Sequence, residues 1–119
     1  MNRTAEVAAR SLEGDDDLFE MANLYPRTTG LPVTVWASPR GRAGHDARVK
    51  VCVVPGDRMD IDNTAVVAVR PSPSLLHGTL PPEILAPVLR WVELNTPALV
   101  DYWNGATDTV DFVGRLQRV

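Results

Sequence analysis

The clearest pattern in the chain is a strict alternation of polar and apolar positions over residues 48–54. Successive side chains of a β-strand point to opposite faces of the sheet, so this alternation is typical of a strand with one buried face. The pattern predicts buried valines and exposed basic residues: Val49, Val51 and Val53 on one face, Arg48 and Lys50 on the other.

Three further stretches predict strands, at residues 19–25, 31–38 and 64–70. The stretches at residues 31–38 and 64–70 are rich in β-branched residues, and a proline follows each of the three stretches. Consecutive strands with short links usually lie side by side. We therefore expect an antiparallel meander of about four strands.

After residue 80 the apolar period changes from two to 3.6, which indicates helix. One apolar stripe comprises Leu85, Val88, Leu89, Val92, Leu99, Val100 and Trp103. Trp91 lies near its edge, and Pro97 interrupts it, so we expect a kinked helix or two helices. A last short helix is expected over residues 109–116, capped by Asp108. The helices should cover one face of the sheet, which makes the fold class α+β.

The N-terminal segment has a different character. Residues 1–22 carry two arginines against six acidic residues, and the run Asp15-Asp16-Asp17 is typical of a solvated segment. We expect a short helix over residues 4–12 within a mobile acidic N-terminal arm, residues 1–18. Residues 19–119 then form a single α+β domain, since 119 residues leave no room for a second core.

Composition indicates a protein of a reducing compartment. The only cysteine is Cys52, so no intrachain disulfide can form. No apolar run approaches the roughly 20 residues of a membrane span, and the N-terminus lacks the apolar core of a signal peptide. We expect a cytoplasmic protein without a membrane partner; the oligomeric state is left open.

The candidate binding residues cluster in a basic region. Residues 23–53 carry five basic residues against Asp46 alone, although the whole chain has a net charge of −3. Guanidinium groups pair with carboxylates or phosphates, and the glycines at 41 and 44 suit a hairpin loop. The candidates are Trp36, Arg40, Arg42, His45, Asp46, Arg48 and Lys50. The alternative interpretation is an ordinary hairpin with a solvated basic face.

No motif predicts catalysis, a metal or a cofactor. The two histidines, His45 and His77, and the single cysteine have none of the paired spacings of zinc sites. The acidic stretch from Asp57 to Asn63 lacks the glycine and glutamate positions of a calcium loop, so it is interpreted as an acidic turn. We therefore assign no catalytic residue, no metal and no cofactor.

The helical segment resembles a family signature. The stretches at residues 78–85, 88–95 and 99–103 give a Leu-Pro entry, an apolar helix, the motif Trp91-Val92-Glu93-Leu94 and a closing Tyr102-Trp103. This is similar to the C-terminal signature of small bacterial domains of unknown function with short strands and a His-containing turn. The resemblance implies a chain encoded beside a second small protein, in a toxin–antitoxin-like or mobile-element context.

These observations favour a non-enzymatic interaction or regulatory module that binds another protein. An alternative is a small toxin, or an inhibitor of a nucleic-acid machine, that uses the basic hairpin against phosphates. A remote alternative is a small hydrolase or nuclease with His45 as general base.

Overall fold

The computed structural model describes residues 5–10, 19–41, 43–57, 60 and 62–119, with side chains from residue 21 onward. Six strands form one antiparallel sheet in chain order. They are β1 Ala5–Arg10, β2 Phe19–Leu24, β3 Val33–Ala37, β4 Arg48–Pro55, β5 Thr64–Ala68 and β6 Ser74–His77. The helices are α1 Pro26–Thr29, α2 Pro82–Leu94, α3 Thr96–Trp103 and α4 Thr109–Arg115. The predicted α+β meander is confirmed.

Two strands lie outside the four expected from the sequence. The predicted helix over residues 4–12 is wrong, because Ala5–Arg10 pairs along its whole length with β2. Pairing with a neighbouring strand overrides the weak local preference of this Ala-rich stretch. The predicted mobile acidic arm falls mainly on residues 1–4 and 11–18, which lie outside the described residues. The second addition is β6, which follows Pro73 and pairs with β5.

The predicted register of β4 is confirmed. Val49 and Val51 are buried in the core and Val53 is partly buried against it, whereas Lys50 is exposed and Arg48 half-buried. The inward-pointing residues of the central strands form one cluster with the helices: Val33, Val35 and Ala37 of β3, Val49 and Val51 of β4, Ala65 and Val67 of β5, Val88, Trp91 and Val92 of α2, Leu99 and Trp103 of α3.

Two helices, not one continuous helix, cover this face of the sheet. α2 ends at Leu94, and Pro97 occupies the first turn of α3, where its missing N–H breaks no helical bond. The predicted apolar stripe lies against the core. Trp91, which was expected near the edge of the stripe, is fully buried. Within the described ranges no helix combines the length and apolarity that crossing a bilayer requires.

Asn95, at the junction of α2 and α3, holds the C-terminal tail. Its buried amide Nδ2 donates to the carbonyls of Trp91 at 2.9 Å and Gln117 at 3.0 Å, and its Oδ1 accepts from the Gln117 N–H at 2.8 Å. The predicted Asp108 cap is also confirmed, because its carboxylate accepts from the Asp111 N–H at the start of α4. Side-chain hydrogen bonds therefore fix the C-terminal tail and the start of α4.

Two leucines of the helical layer differ in burial, and their substitution tests the described packing. Leu99→Ala should lower the free energy of unfolding by about 2–5 kcal/mol, because Leu99 is only 4% exposed and its loss leaves a cavity. Leu94→Ala, the matched control at 40% exposure, should change it by no more than about 0.5 kcal/mol. Urea denaturation of both variants measures the difference. Equal losses would contradict the described packing.

Candidate functional site

Three of the candidate residues, Trp36, Arg48 and Lys50, lie at one end of the outer face of the sheet, the face opposite the helices. The strand register aligns one row across it: Asn23, Trp36, Lys50, Val66 and His77. Toward the β4–β5 turn this face is closed, since Thr34 and Cys52 are fully buried there and the Thr34 hydroxyl donates to the Gly56 carbonyl. Toward the β3–β4 hairpin the face carries the basic residues. We call this part the basic face: Trp36, Arg40, Arg48 and Lys50.

Trp36 and Lys50 form its central contact. They are cross-strand partners on β3 and β4, and the Lys50 Nζ lies 5.2 Å from the centroid of the Trp36 ring. A cation over an indole face is attracted by the negative charge of the ring's π-system. Lys50 is exposed and Trp36 half-buried, so the pair presents an ammonium above an apolar surface.

Arg48 lies two residues closer to the hairpin and is half-buried. Its Nε is buried and has no hydrogen-bond partner among the described residues. Its neighbours across the sheet are small: Ala68 pairs with it on β5, and continuing the β3–β4 register by two residues places Ser38 opposite it.

The hairpin end of this face carries an ion pair. The Asp46 carboxylate accepts from the Arg70 guanidinium through Nε at 2.9 Å to both oxygens and through Nη2 at 2.9 Å, and Oδ1 also accepts from the Ala47 N–H at 2.7 Å. Extended by two residues, the β4–β5 register places Arg70 opposite Asp46. The hydrogen bonds from Arg70, and then that from Ala47, hold the pKa of Asp46 below its ordinary value, with a smaller contribution from Arg40.

The hairpin is fastened to the helical layer. The Arg40 N–H donates to the Trp103 carbonyl at 2.8 Å, and the Ala43 N–H donates back to the Arg40 carbonyl at 2.9 Å. Gly41 adopts a positive φ of 55° between them. This backbone attachment sets where the hairpin starts. The charge of the Arg40 side chain contributes to the lowered pKa of Asp46, which places Arg40 at the hairpin end beside that carboxylate.

His45 points away from that face. Its ring stacks on Trp103 of α3, with centroids 5.2 Å apart and planes at 28°. Its Nδ1 lies 2.9 Å from the backbone carbonyl of Asp46, while the Asp46 carboxylate is held by Arg70. The structure thus brings Trp36, Arg48 and Lys50 together beside the Asp46 pair, and leaves His45 with the helices. Arg42 lies outside the described residues.

Two residues of this region were missed by the sequence reasoning, Arg70 and Trp103. The partner of Asp46 could have been found, since a hairpin between the predicted strands 48–54 and 64–70 places Arg70 opposite Asp46 once the turn length is known. The His45–Trp103 stack joins a loop to the end of a helix far along the chain, and no local pattern signals it.

In the described end of the acidic stretch, Asp60, Asp62 and Asn63 form a turn before β5. The Asp60 carboxylate accepts from the Asp62 N–H at 3.1 Å and from the Asn63 side-chain amide at 2.7 Å. Among the described residues, no group of three or more His, Cys, Asp or Glu side chains is arranged to hold a metal ion.

Comparison with known proteins gave no match to any family model, curated protein or solved structure. The resemblance to small bacterial domains of unknown function therefore stays a prediction.

The Asp46–Arg70 pair predicts a measurable titration. Because the pKa of the carboxyl is lowered in the folded protein, the pair stabilises the fold above the ordinary carboxyl range and is lost as the pH falls through the folded-state pKa. NMR titration of Asp46 should give a midpoint below that of a free aspartate, and Arg70→Gln should raise it. Arg115→Gln, which removes a guanidinium of similar exposure in the helical layer, should leave the Asp46 midpoint unchanged. An unchanged Asp46 midpoint would contradict the pairing.

Proposed function

We propose that this chain is a non-enzymatic interaction module that binds an acidic surface of another protein through the basic face. The observation that carries the proposal is the arrangement of Trp36, Arg48 and Lys50 on the side of the sheet that the helices leave uncovered. These side chains give an apolar surface bordered by cations, and two of them, Trp and Arg, belong to the residue types enriched at the energetic centres of protein interfaces.

The pairing of charges supports this location. Three described arginines form ion pairs with carboxylates, namely Arg27–Asp57, Arg70–Asp46 and Arg115–Asp101, whereas Arg90 and Arg118 lie apart from one another off the basic face without a described ion pair. Arg40, Arg48 and Lys50 have no carboxylate partner in the described part of the chain. An unneutralised group of cations attracts an acidic partner and speeds its association.

Three observations favour a protein over a nucleic acid as the partner. Lys50 already lies over the Trp36 ring, which takes the place of a stacked base. Arg70, the further guanidinium at the hairpin end, is already paired with the Asp46 carboxylate and is not free to bind a phosphate. The whole chain is acidic, with a net charge of −3, which opposes non-specific binding to nucleic acid.

The proposal includes a cellular setting. The resemblance of residues 78–103 to small bacterial domains supports a partner encoded beside this chain, as in toxin–antitoxin pairs or mobile elements. The free cysteine Cys52, which is fully buried, supports a reducing cytoplasmic environment. No described contact favours the hydrolase alternative, because His45 stacks on Trp103 and its neighbouring carboxylate is engaged by Arg70.

A capture experiment tests the proposed face. Immobilised wild-type protein is exposed to nuclease-treated lysate, and the retained protein is identified, purified and rebound. The double variant Arg40→Gln/Lys50→Gln should weaken this binding by roughly tenfold or more, since two unpaired interfacial cations are lost. Binding to wild type should also weaken as salt rises.

The matched control removes the same charge elsewhere. Arg90 of α2 and Arg118 of the tail are exposed and lie off the basic face, so Arg90→Gln/Arg118→Gln should bind like the wild type. All variants should keep their unfolding midpoints, because exposed charges contribute little to folding. Equal binding by both double variants refutes the proposed face. Capture of a nucleic acid that the face variant loses would establish the nucleic-acid alternative instead.

A further inference from the structure

Arg48 differs from the other cations of the basic face. Its guanidinium is held in the sheet surface, half-buried, and its Nε donor is buried with no acceptor among the described residues. A buried donor without a partner costs free energy that the fold does not recover internally. Arg40 and Lys50, by contrast, are exposed and hydrated. The Nε of Arg48 therefore lacks a hydrogen-bond acceptor among the described residues.

The adjacent ion pair shows which acceptor fits. Arg70 binds the Asp46 carboxylate through Nε and a terminal nitrogen, all at 2.9 Å. A carboxylate therefore fits the edge of a guanidinium that contains Nε. Asp46 has the same strand parity as Arg48 and lies two positions away, but Arg70 occupies both of its oxygens. Two guanidinium groups thus share this end of the sheet with one carboxylate.

We infer that Arg48 is the specificity-determining residue of the face and binds an Asp or Glu side chain of an extended acidic segment in the partner. This inference rests on the proposed function and names the chemistry of its partner. Arg48 turns outward about its stem and presents the edge containing Nε to the incoming carboxylate. The small neighbours Ser38 and Ala68 leave room for it.

The flanking contacts favour a protein segment as the source of the carboxylate. On one side Trp36 and Lys50 offer an apolar ring under an ammonium, which suits the stem and charge of a second side chain of the segment. On the other side stands the Asp46–Arg70 pair, in which Arg70 is already engaged by a carboxylate, so Arg48 is left as the guanidinium available to the segment. The site thus combines one guanidinium that binds a carboxylate with a border of apolar and cationic side chains.

The test uses a short fluorescein-labelled peptide of alternating Glu and Ser, its Gln/Ser counterpart and a labelled oligothymidine, followed by fluorescence anisotropy. The Glu peptide should bind the wild type roughly tenfold or more tightly than the Gln peptide. Arg48→Lys keeps the charge but removes the planar fork, and should weaken Glu-peptide binding roughly tenfold. Arg90→Lys, the matched control on α2, should leave it unchanged.

A second pair of variants compares the release of Arg70 with the release of Arg115. Only the first should strengthen binding. Asp46→Asn releases Arg70 on the basic face, so affinity for the Glu peptide should rise several-fold by a rough estimate from one added guanidinium. Asp101→Asn releases Arg115 in the helical layer from a pair of similar length and exposure, and affinity should not change. Equal gains in both variants would mean that only net charge matters, which overturns the inference.

NMR gives a readout at the atom concerned. The Arg48 Nε–H signal should shift when the Glu peptide is added and stay in place with the Gln peptide, with Arg115 as the internal reference.

A wild-type affinity in Arg48→Lys overturns the role of Arg48. The proposed function survives that result if Arg40→Gln/Lys50→Gln still weakens binding, and fails with it if that variant also binds normally. Arg48-dependent binding of oligothymidine in preference to the Glu peptide overturns the protein segment as the occupant.

Discussion

The register of β4 is the constraint on which the rest of the molecule depends. Val49 and Val51 are buried beneath the helices, and a slip by one residue would expose both while burying Arg48 and Lys50. Desolvating two unpaired cations costs far more than the burial of two valines could offset, so a single pairing with β3 and β5 is selected. The placement of the basic residues is a consequence of how the core packs.

Stability and the proposed binding are thereby assigned to opposite sides of one sheet. The helical side contains the large buried side chains, among them Trp91, Tyr102 and Phe112, and the Asn95 hydrogen bonds that hold the C-terminal tail. The outer side contributes exposed charges, whose pairing adds little to folding. Substitutions on the outer side can therefore change what the protein binds without unfolding it, which is what an interaction surface requires.

The sequence predicts the elements whose patterns are set by their own residues. The alternation over residues 48–54 and the 3.6-residue stripe after residue 80 each survive in the structure, because each encodes one buried face. β1 could not be predicted this way, since its Ala-rich residues become a strand only by pairing with β2. Of the candidate residues, the alternation placed Arg48 and Lys50 on one face of β4, as the structure has them. It gave no sign of where His45 lies, because its ring stacks on Trp103, a contact between distant parts of the chain.

In the proposed function, the Asp46–Arg70 pair decides which cations at this end of the sheet are free to bind. Without Asp46 the hairpin end would carry arginines alone and would attract any anion, phosphates included. With Asp46 present, Arg70 is neutralised and the remaining attraction is concentrated at Arg48 and Lys50 beside an indole surface. Under this proposal the single acidic residue within the basic region restricts binding to these side chains, at little cost in stability because the pair is exposed.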